Sequence, residues 1–225
     1  MLSLFLAAIF FAGLHLGISG TAIRDRLVAA LSLNAYRGLF SIASAGGMIW
    51  LVAAYIHAPQ IVTWGVPQWW KPVAILLMLP AFVLAILGLR TPNPAAVGME
   101  GLAAQSPKGI VRVTRHPLLL GIGLWALVHL VANGDAASFL FFGALAITAL
   151  AGTVSIDAKR RRALGPSWQS FAAQTSVVPF AAIAAGRTRF TMSEIAPWRW
   201  AVAIAAYILF LGGHSHIFGV SPFPG

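Results

Sequence analysis

Six apolar stretches separated by short polar segments constrain this fold more than any other feature of the chain. A helix needs about 20 apolar residues to cross the hydrocarbon core of a bilayer. Only 9% of the residues are charged, whereas soluble domains carry roughly a quarter, so a water-facing globule could not be covered. We therefore expect an all-α, polytopic membrane bundle of about six transmembrane helices. The predicted spans are 2–19, 39–58, 73–89, 117–132, 136–156 and 197–213.

The basic residues predict the orientation of this bundle. The chain has 15 Lys and Arg against 5 Asp and Glu, a net charge of +10. Fourteen of the fifteen lie in or beside the loops after the first, third and fifth spans, and Lys71 alone lies on the other side. The positive-inside rule then places those loops in the cytoplasm and both termini on the outer, periplasmic side. We therefore expect a multi-pass protein of the bacterial inner membrane, with membrane lipid and no nucleic acid as partner.

The remaining features predict one transmembrane domain over residues 1–225. No basic residue precedes the first span, while Arg24 and Arg26 follow it, so it is expected to stay as an anchor. Residues 91–114 are rich in Gly and Pro and predict a loop. In 163–190, Trp168 and Phe171 have helical spacing, which predicts a short cytoplasmic amphipathic segment resting on the membrane. The basic run 159–162 fits a topology anchor or a contact with anionic headgroups.

The available residue types exclude several kinds of site. The chain has no cysteine, which removes disulfides, iron–sulfur clusters and cysteine nucleophiles. Carboxylates are nearly absent from the spans, and neither a carboxylate pair, a serine triad nor a phosphate-binding glycine loop can be assembled. Hydrolase and kinase functions are therefore excluded, and six histidines remain as the main soft metal ligands.

His15 is the most informative of these histidines, because no charged residue lies within eight positions of it. Histidines in transmembrane segments usually face the bundle interior and mark ligand, cofactor or proton sites. Gly13 and Gly17 flank it and would let a helix or a flat cofactor approach the backbone. An interhelical hydrogen bond and a cofactor ligand are both open interpretations.

His129 shares a helix face with Gly121 and Trp125, since the three are four residues apart. The glycine leaves room, the indole supplies a stacking wall and the imidazole supplies a ligand, an arrangement that suits a porphyrin. Ordinary helix packing explains the same spacing equally well.

Two further groups of basic residues have alternative interpretations. Arg115-His116-Pro117 is suited to a helix start that binds an anionic headgroup or nucleotide, or is a plain interfacial helix start. The other alternative is a separate zinc or copper site on the outer side, with His214 and His216 on an extended tail. Its four histidines would be His57, His129, His214 and His216.

Four motifs spread over nearly the whole chain resemble those of the NnrU family of bacterial membrane proteins. They are LHLGISG around His15, R-H-P-x-x-x-G from Arg115 to Gly121, W-x-x-x-H-x-x-x-N-G-D from Trp125 to Asp135, and the closing GGHSHIFGVSPFPG. NnrU proteins are associated with nitric oxide and denitrification genes, and the family is related to the zeta-carotene isomerase of plants, a membrane protein with haem b.

The resemblance implies a haem b protein that binds a hydrophobic polyene or a diatomic gas. In the isomerase the iron is held by two histidines whose matches here are His15 and His129. An enzyme of this type would be a haem-dependent isomerase, and respiratory or denitrification proteins would be partners. The cofactor-binding residues implied in all are His15, His129, Trp125, Gly121, Arg115 and His116.

One departure and two alternatives accompany this resemblance. The isomerase has a cysteine three residues before its second histidine, where this chain has Ala126, so exchange with a thiolate is impossible. A weaker resemblance, carried by R-H-P and LGPSWQSFAAQTSVVPF, is to isoprenylcysteine and phospholipid methyltransferases, which implies S-adenosylmethionine bound near Arg115 and His116. The last alternative is a non-catalytic partner in the assembly of respiratory reductases.

Overall fold

The computed structural model describes residues 1–224; Gly225, the last residue of the closing motif, lies outside the described residues. In this part of the chain the regular elements are helical, and the β contact is an isolated bridge between Val62 and Asp135. The α-helices are α1 (Leu2–Ala12), α2 (Ala22–Leu31), α3 (Leu33–Ile56), α4 (Trp70–Arg90), α5 (Pro117–Asn133), α6 (Ala136–Leu164), α7 (Pro166–Gln174), α8 (Ala181–Ala184) and α9 (Pro197–Phe218).

Among the described residues, four helices are long and apolar enough to cross a membrane: α3, α4, α6 and α9. A fifth span results if α1 with its π-helical extension, Gly13–Ile18, is counted with α2, to which it is bent by 79°. The predicted span 117–132 corresponds to α5, which is apolar but has only 17 residues. An all-helical, multi-pass architecture with four to five candidate spans is confirmed, while the count of six and the outer position of both termini stay predictions.

The span helices extend beyond the apolar runs that predicted them. Ser32 caps the start of α3, with its side chain accepting a hydrogen bond from the Ala35 N–H at 3.4 Å. At the other end of the chain, α9 continues to Phe218, where Gly219 adopts φ +73° and ends the helix. His214 and His216 therefore lie on a helix, and the predicted extended tail is wrong.

Large apolar side chains cover the outside of the candidate spans. Ile42 and Ile49 on α3 are 73% and 70% exposed, and Ile208 and Leu209 on α9 are 59% and 69% exposed. Soluble monomers rarely expose such contiguous apolar patches. These helix faces are suited to lipid contact.

The chain divides into two compact units, the first built from residues 1–67 and 126–155. In this unit α1 packs against α3. Gly47 on α3 lets the two helices approach closely, since it has no Cβ and an added one would lie 2.9 Å from the Phe10 ring. The segment before Trp64 is tied to the turn between α5 and α6: the N–H groups of Thr63 and Trp64 both donate to the Gly134 carbonyl.

The second unit contains residues 68–125 and the chain from 156 onward. Here α4 packs against α9, and α7 covers the loop between α4 and α5. Trp168 and Phe171 on α7 are each 1% exposed and pack with Ala95 and Val111 of that loop. The expectation that this amphipathic segment rests on the membrane is therefore wrong, because its apolar face is buried against protein.

Candidate functional site

His15 lies in the π-helical turn Gly13–Ile18 at the end of α1. Such turns are rare and occur frequently at functional sites. The His15 Nδ1 is 2.8 Å from the Phe11 carbonyl oxygen, and its Nε2 is 3.0 Å from the Ser44 hydroxyl. Because a carbonyl oxygen can only accept, Nδ1 carries the proton, and in the neutral ring Nε2 accepts from Ser44.

The half-buried His15 ring is held between aromatic neighbours, and the glycines on either side of it in the chain leave open the opposite face of the helix. Its centroid lies 4.4 Å from the Phe11 ring and 5.4 Å from the Phe40 ring. An added Cβ at Gly13 or Gly17 would meet nothing within 4 Å. The imidazole is therefore fixed in tautomer and direction by Phe11, Phe40 and Ser44.

His129, on α5, belongs to an aromatic cluster in the same unit. Its ring stacks on Phe142 at a centroid distance of 5.2 Å and an interplanar angle of 29°. Phe142 in turn contacts Tyr55 and Phe141 edge-on, at 5.9 and 5.0 Å. The imidazole thus lies against a wall of rings in an apolar setting.

A buried polar chain joins this cluster to the turn before α6, and sequence reasoning missed it. The Ser138 hydroxyl donates to Asp135 at 2.6 Å, and the Tyr55 hydroxyl lies 2.9 Å from the Ser138 oxygen. Since the single hydroxyl proton of Ser138 points to the carboxylate, Tyr55 is the donor to Ser138. Asp135 also accepts from the Ser138 N–H at 2.9 Å as the N-cap of α6. The Asp-x-x-Ser spacing was the available sequence signal.

Arg115 and His116 meet at one carboxylate in the second unit. Arg115 donates through Nε to Asp157 at 2.9 Å, and the His116 Nε2 lies 2.7 Å from the other oxygen of Asp157. The three side chains are 13%, 2% and 12% exposed, in the order Arg115, His116 and Asp157. Asp157, on α6, is 41 residues from His116, so no local motif identified it.

The backbone around Arg115 extends this network into the neighbouring loops. Asn93 donates to the Arg115 carbonyl at 2.9 Å, and the Arg115 Nη1 donates to the Thr175 carbonyl at 3.2 Å. Thr114 donates to the Val177 carbonyl at 2.7 Å. The basic pair just before α5 therefore connects the loop after α4 with the segment that follows α7, and the charge of Arg115 is compensated by Asp157.

A second ion pair closes the loop before α9. Arg112 donates through Nη2 to Glu194 at 2.7 Å and through Nε at 2.8 Å, and the Gly109 N–H donates to the same carboxylate at 2.7 Å. These bonds, chiefly those from Arg112, hold the pKa of Glu194 below its usual value. The segment 109–112 is thereby fixed against the start of α9.

Gly121 and Trp125 lie on α5 in the second unit. An added Cβ at Gly121 would lie 2.7 Å from the Ala81 carbonyl oxygen and 2.7 Å from the Ala85 nitrogen, so α4 packs directly on this glycine. Trp125 is half-buried one turn further on. Gly121 thus serves helix packing.

The predicted site residues fall into two groups. His15 and His129 belong to the first unit, whereas Arg115, His116, Gly121 and Trp125 belong to the second. Within residues 1–224 no group of three or more His, Cys, Asp or Glu side chains converges as a metal site, so the outer histidines form no such cluster. A haem iron takes its axial ligands from two side chains, so it needs no such cluster of three.

Comparisons with known proteins place the chain in a family context. The sequence model of the NnrU protein family matches residues 3–222. The chain is 34% identical over 95 residues to the chloroplastic 15-cis-zeta-carotene isomerase of Arabidopsis thaliana, and 32% identical over 97 residues to that of Zea mays. Each match covers 40% of this chain and 26% of the relative, so it spans about a quarter of their length. No solved structure matches the chain.

Proposed function

Because the chain belongs to the NnrU family, we propose that it is an isomerase-like membrane protein that binds haem b and acts on a hydrophobic polyene. The similarity to the plant isomerases supports the isomerase-like activity. His15 and His129 are the proposed iron ligands, and the bacterial inner membrane is the proposed location.

The state of His15 carries this proposal. Metal-ligating histidines almost always donate their second ring N–H to a carbonyl, carboxylate or water, which fixes the tautomer and raises ligand basicity. The bond from Nδ1 to the Phe11 carbonyl is of this kind, and it leaves the lone pair on Nε2. The donor chemistry of this turn therefore fits a haem ligand.

The surrounding residues define what the site would do. A b-type haem supplies a redox-active iron whose axial positions are set by the protein. Ser44 gives the His15 Nε2 an alternative partner, so the imidazole stays hydrogen-bonded whenever it is not a ligand. Phe142 stacks on the His129 ring and orients it. Ala126 is fully buried and has no thiolate to offer, so imidazoles are the ligands proposed in both redox states.

An absorption spectrum tests the assignment directly. We expect the purified protein, loaded with haem, to show a Soret band that is lost or shifted in His15→Ala and in His129→Ala. His57→Ala is the matched control, because the His57 Nδ1 also lies 2.8 Å from the carbonyl four residues earlier, that of Ala53. A wild-type protein that takes up no haem would end the proposal.

A second candidate is a haem that binds a diatomic gas in nitric oxide or denitrification metabolism. The observation that favours it is the absence of any cysteine to exchange with His129. We expect nitric oxide to shift the Soret band of the reduced protein if this function holds, and an unchanged spectrum would exclude it.

A further inference from the structure

An apolar groove lies beside the start of α9 in the second unit. It has a volume of about 620 Å³, which is within the usual range of about 300–1,000 Å³ for ligand pockets. Its wall is formed by Met192, Ser193, Ile195, Pro197 and Trp200. Met192 is 60% exposed, whereas Ile195 is buried against Leu87 and Ile110. The groove therefore has a fixed floor and an accessible rim.

The first turn of α9 holds two unpaired hydrogen-bond donors, one of them on Trp200, which lines the groove. Among the described residues, the Trp200 Nε1 and the Arg199 Nε are buried without a hydrogen-bond partner. The helix itself begins at Pro197 after Ala196, which provides no side-chain cap. Buried unpaired N–H groups cost free energy, so an occupant that supplied oxygen acceptors would be favoured here. The side-chain N–H groups of Arg199 and Trp200 at the start of α9 thus lack hydrogen-bond acceptors.

The charge beside the groove is positive. The Arg199 guanidinium lies 5.5 Å from the centroid of the Trp198 ring, and Arg189 is exposed nearby in the chain. The carboxylate of Glu194 is already bound by Arg112. An occupant that brings oxygen acceptors and negative charge would match this edge.

We propose that the groove binds an anionic phospholipid, with an acyl chain along Met192 and Ile195 and with ester or phosphate oxygens accepting from Trp200 and Arg199. The acyl chain and the charged headgroup of such a lipid each match one feature of the groove. The walls are apolar, while the unpaired donors and the arginine need an acceptor with negative charge. This site is separate from His15 and His129 and does not depend on haem.

Native mass spectrometry of the full chain in detergent tests the site. The probes are phosphatidylglycerol and phosphatidylcholine with identical acyl chains. We expect the anionic lipid to be retained about tenfold more tightly, and Trp200→Phe to remove about tenfold of that affinity, the effect of one hydrogen bond to a charged group. Trp69→Phe is the control, since Trp69 is 62% exposed and lies outside the groove.

Three results would overturn the proposal: equal retention of the two lipids, full displacement by glycerol phosphate alone, or unchanged affinity in Trp200→Phe. If Trp200→Phe does not fold, Ser193→Trp decides, because Ser193 is exposed at the rim and an indole there would fill the groove without touching the core. We expect this variant to lose lipid retention while keeping the melting temperature of the lipid-free protein.

Discussion

Replacing Asp157 by Asn removes the one negative charge that Arg115 and His116 share. Removing one partner of a buried ion pair costs about 3–5 kcal/mol, because the other charge is left buried and unpaired. This range applies here because Arg115 is 13% exposed, Asp157 12% and His116 2%. With a shift of about 2–4 °C for each kcal/mol in a chain of this size, we expect the melting temperature to fall by roughly 6–20 °C.

Intrinsic tryptophan fluorescence during a thermal ramp of the detergent-solubilised protein measures this change. Asp25→Asn is the matched control, because the Arg24–Asp25 pair has a similar length of 2.8 Å but Asp25 is 61% exposed. Exposed pairs contribute about 0–1 kcal/mol, so this variant should melt within about 4 °C of the wild type.

A double variant separates the charge from the shape of the site. Replacing Arg115 by Met and Asp157 by Leu together removes both charges, and such apolar replacements are often neutral. We expect it to melt above the Asp157→Asn protein. An Asp157→Asn protein that melts like the control, or a double variant that melts lower still, would refute the assignment of this cluster as a charge-compensated structural centre.

Three further predictions use other parts of the chain. The Arg112 side chain lowers the pKa of Glu194, so the stabilisation from the Arg112–Glu194 pair is complete above the ordinary pKa of a glutamate and is lost as the pH falls through the lowered pKa. Proteolysis of the loop before α5 should therefore increase at that low pH. Glu194→Gln should remove this pH dependence. Gly121→Ala should lower the melting temperature, since its Cβ would lie 2.7 Å from backbone atoms of α4, whereas Gly101→Ala, with nothing within 4 Å, should leave it unchanged. Ser44→Ala should slow haem release from the loaded protein, because it removes the hydroxyl that competes for the His15 Nε2; faster release would show that the hydroxyl supports the ligand instead.

The sequence predicted the helices well and their ends less well, for a physical reason. Apolar runs indicate where a segment can lie in lipid, and all six predicted spans overlap helices of the structure. The run ending at 156 stops at Asp157 and the basic residues after it, yet α6 continues to Leu164. Its charged side chains find partners inside the protein, Asp157 with Arg115 and Arg160 with Glu100, and hydropathy does not contain that information.

The same limit applies to amphipathic segments and to the candidate site. The spacing of Trp168 and Phe171 indicates an apolar helix face, but a face that packs on protein has the same period as one that lies on lipid. His15 was identified from its isolation in an apolar run. Its partner Ser44, 29 residues away, could not be identified, because the pairing depends on how α1 packs against α3.

Because of the π-helical turn at His15, the number of residues between α1 and α2 decides which way α2 faces. The Ser19 N–H bonds to the Leu14 carbonyl, five residues back instead of the four of an α-helix. One extra residue is thereby accommodated, and everything after it is rotated by about 100° relative to an unbroken helix. Deleting any single residue between 13 and 18 would restore α-helical winding and turn Ser19 and α2 to another face, whereas exchanging one aliphatic side chain for another would not. Insertions and deletions, more than substitutions, are the changes that this turn should resist.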